Sequence, residues 1–199
     1  MTDESYTAEE ICDRLEKALS GRVRDTTVTR RGEGVQKTPL SAIWMTIDRD
    51  DLKEAIQALI DIDYPHLSVI SGVDEGEQVT LNYHLTILFG ARNREIPVTF
   101  SVPLPKDDLT VPTISDLIPG AVYTEREKQE MLGVAVTGIP DARRLFLPPS
   151  FPEGVHPWRK DDAGIPVEMV RELWREGRPT DRPAPLVPEE TEPTGDDDA

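Results

Sequence analysis

Histidine and cysteine, which often bind metal ions or act in catalysis, are sparse in this 199-residue chain. Its three histidines, His66, His84 and His156, do not have the spacing of a metal-binding pattern such as HxxxH. His84 lies in an alternating apolar and polar run, on the less apolar side. An isolated histidine in such a run is more often packed or hydrogen-bonded than bound to a metal. The histidines therefore predict no metal centre.

Cys12 is the only cysteine. It follows Ile11 in a helical pattern and precedes Asp13, whereas a reactive thiolate needs positively charged, partly exposed surroundings. We interpret it as a structural helix residue. A single cysteine excludes an internal disulfide, and it excludes an iron–sulfur cluster held only by cysteines of this chain. The sequence also lacks the motifs of serine hydrolases, dinucleotide-binding folds and P-loops.

Acidic residues dominate the charge, because 38 Asp and Glu against 22 Lys and Arg give a net charge of −16 at pH 7. Such a chain is poorly suited to a phosphate backbone or an anionic lipid surface, so we expect no nucleic-acid partner. This excess of acidic residues is expected in a protein from a salt-adapted organism and also in one from any organism with acid-rich proteins, so it does not distinguish the two. Part of the charge belongs to the terminal acidic group Glu189, Glu190, Glu192, Asp196, Asp197 and Asp198.

Three charged residues, Glu125, Arg126 and Glu127, lie in a helical pattern over 122–132. Residues two apart on a helix do not face each other, so the two glutamates do not form an acid/base pair. They form either a solvated helix face or ion pairs with other elements or subunits.

Two basic pairs, Arg143-Arg144 and Arg159-Lys160, lie in an extended, proline-rich segment. Arginine pairs with carboxylates in a bidentate geometry, and extended segments with arginine and aromatic anchors are suited to a partner's surface. The alternative is ordinary solubilising charge; we favour an interface.

The elements that would position these residues follow from periodicity. Capping boxes at Thr7/Glu10 and Asp51/Glu54 predict helices over 7–19 and 51–62. Extended runs predict strands at 21–31, 41–48 and 67–71. Two strictly alternating runs, at 79–89 and 96–104, predict an antiparallel hairpin with one face on the core. The fold class is therefore α+β, with a mixed or antiparallel sheet and two helices on one face, followed by an extended proline-rich C-terminal strap.

The chain changes character after Pro105. One or two helical turns are predicted at 113–118 and a last helix at 166–176, whereas proline and glycine recur too often over 138–157 for regular structure. We predict an α+β domain over 1–135, an extended partner-wrapping segment with a short helix over 136–178, and a flexible acidic tail over 179–199. The acidic N-terminus predicts no signal peptide, and no apolar stretch approaches the roughly 20 residues of a membrane span.

The stretch that begins Asp116-Leu-Ile-Pro-Gly-Ala-Val-Tyr-Thr-Glu-Arg-Glu-Lys-Gln-Glu-Met-Leu-Gly-Val134 resembles the signature of the complex I 30-kDa subunit family. Gly138-Ile-Pro-Asp-Ala-Arg-Arg-Leu-Phe-Leu-Pro148 resembles the family's GHPDLRRLLLP, and Glu153-Gly-Val-His-Pro-Trp-Arg-Lys-Asp161 resembles its EGxxPLRKD. With the hairpin, the resemblance spans residues 41–162. Three linked motifs in the family's order make it specific.

The resemblance implies a non-catalytic structural subunit in the peripheral arm of a complex I-like, energy-converting membrane complex. Its expected place is the cytoplasmic side of the cell membrane, held there by other subunits. Its expected partners are a large hydrogenase-like (49-kDa type) subunit, a small iron–sulfur subunit, a ferredoxin-like subunit and, indirectly, the membrane subunits. The chain itself would bind no cofactor, because the clusters, and in one branch a nickel–iron centre, belong to partners. We assign the partner interface to Glu125, Arg126, Glu127, Arg143, Arg144, His156, Pro157, Trp158, Arg159 and Lys160.

Some residues depart from the family pattern. Ile139 replaces a histidine, Ala142 a leucine, Glu130 an aspartate and Leu132 a phenylalanine. Leu132, together with the stretch 147–155, is similar to energy-converting nickel–iron hydrogenases and formate hydrogenlyase-type complexes, and we favour that branch. The alternatives are the 30-kDa subunit of an NADH-, F420H2- or ferredoxin-dependent quinone or phenazine oxidoreductase, a free-standing enzyme using carboxylates, and a free-standing soluble binding module.

Overall fold

Five strands form one mixed sheet in the computed structural model, which describes residues 6–33, 35, 37–91 and 94–170. In spatial order they run β1-β2-β5-β4-β3, with β2 and β5 parallel and the other neighbours antiparallel. Their bounds are β1 (Val23–Glu33), β2 (Thr38–Ile47), β3 (His66–Asp74), β4 (Gln78–Ile87) and β5 (Ile96–Pro105). The predicted α+β class with a mixed sheet is confirmed.

Up to Ile165, the described residues also form three helices and a second, small sheet. The helices are α1 (Ala8–Ala18), α2 (Leu52–Ile60) and α3 (Ala121–Leu132), and a 3₁₀ turn (Arg49–Asp51) precedes α2. The small parallel sheet pairs β6 (Thr110–Pro112) with β7 (Ala135–Thr137). Segment 113–118 forms a single hydrogen-bonded turn, in which the amides of Leu117 (3.0 Å) and Ile118 (2.8 Å) donate to the Ile114 carbonyl, in agreement with the one or two helical turns predicted there.

The hairpin of β4 and β5 forms the centre of the core. Its facing pairs include Leu81 with Val102, Tyr83 with Phe100 and Leu85 with Val98, all at most 1% exposed. Each such side chain contributes roughly 1.5–3 kcal/mol through burial. The predicted alternation is confirmed up to Ile87, where β4 ends. Its extension to Phe89 is wrong, because the chain turns at Leu88 (φ +54°) and leaves Phe89 60% exposed.

The two predicted capping boxes have different outcomes. Thr7 and Glu10 exchange both hydrogen bonds at the start of α1, as predicted. Asp51 makes no capping hydrogen bond, because the preceding 3₁₀ turn gives it a helical backbone (φ −91°, ψ −8°). The carboxylates of Asp51 and Glu54 instead pair with Arg22. The second capping box is therefore wrong.

All three helices lie over the buried face of the sheet. Helix α1 contacts α2, β1 and β2, and α3 contacts β3. At the end of α3, a Leu132 methyl lies 2.5 Å from where a side chain on Gly72 would begin, beside Leu81 of the core. Gly72 thus allows α3 to approach the sheet closely. On the opposite face, Trp44 is 41% exposed and donates a hydrogen bond to Ser101.

Contacts divide the chain into one unit that ends at Ile165 and a second that begins at Pro166. Residues 136–165 of the predicted wrapping segment thus belong to the first unit, and their contact with a partner stays a prediction. In the second unit, residues 167–170 are helical, while the rest of the helix predicted over 166–176 and the whole tail 179–199 lie outside the described residues. None of the helices in the described ranges has the length and apolar composition required to cross a bilayer.

Candidate partner-docking site

Glu125, predicted as an interface residue, is buried within its own chain at 2% exposure. Its two carboxylate oxygens accept hydrogen bonds from the Thr113 hydroxyl (2.6 Å) and the Ile114 amide (2.7 Å). Burial raises the pKa of Glu125 and outweighs the opposing effect of these hydrogen bonds. Its contacts here tie α3 to the preceding turn, and its role at a partner surface stays a prediction.

Arg126 binds residues 141–161, which follow β7 and are called the segment below. Its Nε donates to the Arg143 carbonyl (2.7 Å), its Nη2 donates to the Arg144 carbonyl (2.9 Å), and its Nη1 lies 3.3 Å from Asp141. Hydrogen bonds from Arg143, aided by the charge of Arg126, hold the pKa of Asp141 well below its usual range. Arg126 therefore stabilises the backbone that carries the first predicted basic pair.

Glu130 binds three consecutive amides in the same segment. Its carboxylate accepts hydrogen bonds from the backbone of Leu145 (3.4 Å), Phe146 (2.8 Å) and Leu147 (2.8 Å), while Glu130 itself is 7% exposed. Successive amides around one anion stabilise a single backbone conformation. In that conformation the Phe146 side chain is 62% exposed.

A further contact between α3 and the segment involves Glu127, Lys128 and Trp158. Buried Lys128 pairs with Glu127, and its Nζ lies 4.6 Å from the centre of the Trp158 ring, a cation–π geometry. The Trp158 amide donates to the Met131 carbonyl (2.9 Å), and its side chain stays 43% exposed. One face of Trp158 thus packs on the domain, while part of it meets solvent.

His156 contacts the turn that ends α3. Its Nδ1 lies 2.9 Å from the Glu130 carbonyl, which can only accept, so Nδ1 carries the proton. Its imidazole lies 2.7 Å from the position of a side chain on Gly133, whose φ of +73° already favours glycine. His156 is therefore packed in the fold next to Pro157, which is half-buried.

An ionic cluster centred on a buried carboxylate joins the segment to the sheet; we call it the Asp74 cluster, formed by Asp74, Lys106, Arg159 and Asp161. The Asp74 side chain is 0% exposed and lies 2.9 Å from Lys106 Nζ and 3.5 Å from Arg159 Nε. It also accepts the backbone amides of Gly76 (2.9 Å) and Lys160 (2.8 Å).

Charge and hydrogen bonding decide the ionisation of the Asp74 cluster. Burial raises the pKa of Asp74, but the hydrogen bonds from the Lys160 amide and Lys106 outweigh it, and the net pKa is lowered. Hydrogen bonds from Arg159 and Lys106 likewise hold the pKa of Asp161 below its usual range. The cluster is therefore ionised at neutral pH.

The sequence reasoning missed Asp74, Lys106, Glu130 and Phe146. No local pattern singles out Asp74, because its partner Lys160 lies 86 residues away. Glu130 was noted only as a departure from the family pattern, although an acidic residue on a helix before an Arg-Arg-Leu-Phe-Leu run was a usable signal.

A small cavity of about 150 Å³ lies between α3 and the segment. We call it the arginine pocket; its lining includes Arg126, Arg143, Arg144, Glu130, Leu147 and His156. In the described part of the chain, no three His, Cys, Asp or Glu side chains are grouped so as to hold a metal ion. The arrangement instead fixes residues 141–161 on α3 and β3, with Arg143, Arg144, Phe146 and Trp158 at the surface.

The fold and these contacts define an α+β domain with a C-terminal segment bound to its third helix. The family model described as the respiratory-chain NADH dehydrogenase 30 Kd subunit matches residues 45–166, and the chain belongs to that family. The resemblance carried by residues 116–162 is thus confirmed.

Relatives come from both predicted branches. The chain is 37% identical over 130 residues to the membrane-bound hydrogenase subunit beta of Pyrococcus furiosus, covering 65% of this chain and 75% of that protein. It is 30% identical over 156 residues to the NADH-quinone oxidoreductase subunit 5 of Thermus thermophilus, covering 74% of this chain and 73% of that protein. Other relatives are much longer, and the chain covers only 21% of an NADH-quinone oxidoreductase protein of Cronobacter sakazakii. The choice of branch stays a prediction.

One solved structure has the same fold. A chain of the membrane-bound sulfane sulfur reductase, described as an archaeal respiratory membrane complex, aligns with a TM-score of 0.64 over 84% of this chain and 91% of its own, at 18% identity. The architecture is therefore found in a subunit of a membrane-bound assembly.

Proposed function

We propose that this protein is a non-catalytic structural subunit in the peripheral arm of a complex I-like energy-converting membrane complex of the nickel–iron hydrogenase type. It docks the large hydrogenase-like subunit onto the small iron–sulfur and ferredoxin-like subunits, on the cytoplasmic side of the membrane. The clusters and the nickel–iron centre belong to those partners, and the membrane subunits hold this chain indirectly.

One observation supports the proposal: the signature helix α3 directs its charges onto its own chain, Glu125 onto the turn before the helix and Arg126 and Glu130 onto the segment after it. Glu125, Arg126 and Glu130 each bind backbone groups of their own chain. A surface held in one conformation before binding loses less conformational entropy when a partner arrives. Helix α3 thus positions a docking surface, to which Arg126 and Glu130 also contribute as lining of the arginine pocket.

The groups left exposed are those that dominate protein interfaces. Phe146 and Trp158 are 62% and 43% exposed, and the Arg143 side chain is 84% exposed. Aromatic residues and arginine account for a large share of interface hot spots. Phe146 and Trp158 both lie on the segment held by α3, the same part of the chain that carries the exposed arginines.

The test is a pull-down from the native host. A tagged copy of the chain is purified from membranes solubilised in mild detergent, and the recovered subunits are identified by mass spectrometry. We expect the large, small and ferredoxin-like subunits to co-purify with the wild-type chain, and Phe146→Ser to lower their recovery. The matched control is Phe89→Ser, because Phe89 is equally exposed but lies after β4. Recovery of the wild-type chain alone would refute the proposal.

The same preparation separates the branches. Nickel in the recovered complex, measured by elemental analysis, supports the hydrogenase type. A nickel-free complex that reduces a quinone or phenazine supports the second candidate, the 30-kDa subunit of a quinone or phenazine oxidoreductase, which the similarity to the Thermus thermophilus protein favours. A chain that binds only a soluble protein would instead indicate a free-standing binding module.

A further inference from the structure

We propose that the arginine pocket receives an aspartate or glutamate side chain of a partner subunit, as a carboxylate site within the docking surface. This inference rests on the proposed function and adds the chemistry of the contact. It concerns the cavity of about 150 Å³ next to α3, a volume suited to a single side-chain group rather than to a large ligand.

The pocket is a positive site on a chain of charge −16. Arg126, Arg143 and Arg144 contribute three positive charges to its lining, and Asp141, beside them, pairs with both Arg126 and Arg143. The other carboxylate, Glu130, has its charge directed at three backbone amides. One positive charge is therefore left over when the two carboxylates are counted against the three arginines.

Arg144 carries that surplus. Its Nη1 donates to the carbonyls of Pro148 (3.0 Å) and Phe151 (2.8 Å), which orient the guanidinium. Among the described residues, Arg144 pairs with no carboxylate, and its Nε and Nη2 donate to no other group. The Nε–Nη2 edge is one that arginine uses for bidentate binding of a carboxylate. An oriented guanidinium with an unused edge loses little freedom on binding.

The surrounding charge selects the kind of anion. A phosphate-rich surface, such as nucleic acid or an anionic bilayer, would bring many negative charges against an acidic chain, and the long-range repulsion would oppose its approach. A single carboxylate brings one charge, which matches the surplus on Arg144. Leu147 in the lining and the exposed Phe146 next to it provide apolar contact beside the ion pair, as in a protein–protein hot spot.

The experiment is zero-length cross-linking within the intact complex. Arg144→Lys places a primary amine in the pocket, and a water-soluble carbodiimide joins that amine to a carboxylate in contact with it by an amide bond, while the carbodiimide takes up the lost water as a urea. We expect mass spectrometry of the purified complex to find the introduced amine joined to an Asp or Glu of another subunit. Arg30→Lys is the matched control, because Arg30 pairs with Glu9 of its own chain and should give only that internal link.

Two further variants keep the inference testable if Arg144→Lys folds poorly. Arg143→Lys uses a second arginine of the pocket lining, whose side chain is 84% exposed. Arg144→Glu should lower recovery of the partner subunit roughly tenfold or more at physiological salt, because like charges face each other across the contact. Arg30→Glu should leave recovery unchanged.

The outcomes separate the inference from the proposed function. The carboxylate site is overturned, and the docking role left intact, if the complex assembles but the amines introduced by Arg144→Lys and Arg143→Lys are linked only to Asp141 or to the terminal acidic group of the same chain. Unchanged recovery with Arg144→Glu overturns it as well. A wild-type chain that recovers no partner refutes the docking role and this inference together.

Discussion

Removing the charge of Asp74 should be among the most destabilising conservative changes in the domain. Each oxygen of this fully buried carboxylate accepts one backbone amide and faces one cation: Oδ1 accepts the Gly76 amide and lies 2.9 Å from Lys106, and Oδ2 accepts the Lys160 amide and lies 3.5 Å from Arg159. Asp74→Asn keeps the shape but replaces one oxygen with an amide NH₂. In either orientation that NH₂ faces two donors, and Lys106 and Arg159 are left with Asp161 alone.

Removing one partner of a buried ion pair costs about 3–5 kcal/mol, which is an upper bound here because the side chains of Lys106 and Asp161 are 18% and 33% exposed. Domains of ordinary stability unfold with about 5–15 kcal/mol, so the loss is a large share of the total. For a chain of this size it corresponds to a fall in Tm of roughly 6–20 °C. Urea unfolding of the purified chain, followed by circular dichroism, measures the change, and hydrogen exchange over residues 156–164 shows whether the segment is released first.

The matched control is Asp116→Asn. Asp116 also pairs with a lysine, Lys53, but its side chain is 54% exposed, and exposed pairs contribute about 0–1 kcal/mol. If Asp74→Asn lowers the free energy of unfolding no more than Asp116→Asn does, the Asp74 cluster does not hold the segment on the sheet.

Four further outcomes follow from the same contacts. The pKa of Asp74 is lower in the folded than in the unfolded chain, so its contribution to stability is present above about pH 4 and is lost as the pH falls through the folded value. In urea unfolding measured at decreasing pH, the difference in unfolding free energy between wild type and Asp74→Asn should therefore shrink below about pH 4. Burial shifts the pKa of Glu125 the other way, so Glu125→Gln should leave the unfolding free energy at pH 7 unchanged or higher, and a loss above about 2 kcal/mol would contradict this. Gly133→Ala should lower the free energy of unfolding in urea by about 2–4 kcal/mol, because the backbone φ is positive and the His156 imidazole lies against the added methyl group. Gly120→Ala, with open space around it, should lower it by under about 1 kcal/mol, and equal losses would count against the packing argument. Arg143→Ala should leave the thermal unfolding of the isolated chain nearly unchanged while lowering recovery of partner subunits, and the reverse pattern would make this arginine a structural residue.

Much of the fold follows from patterns over a few consecutive residues. The alternation in β4 and β5 specifies which side chains face the core, because successive residues of a strand point to opposite faces. The Thr7/Glu10 capping box specifies the start of α1 because both hydrogen bonds close within four residues. The family signature is likewise a property of linear order.

The sequence by itself thus determined the class of fold, the hairpin, the start of the first helix and the family. The tertiary structure alone determined which groups the charged side chains bind. Asp51 and Glu54 pair with Arg22 instead of forming the predicted helix cap. Asp74 accepts a hydrogen bond from the backbone amide of Lys160, 86 residues later. A charged side chain pairs with whatever opposite charge the packed chain brings within a few ångströms, and that distance is set by the approach of helices and strands remote in sequence. The signature therefore identifies the family, while only the folded chain reveals that its charges hold residues 141–161 on α3 and β3.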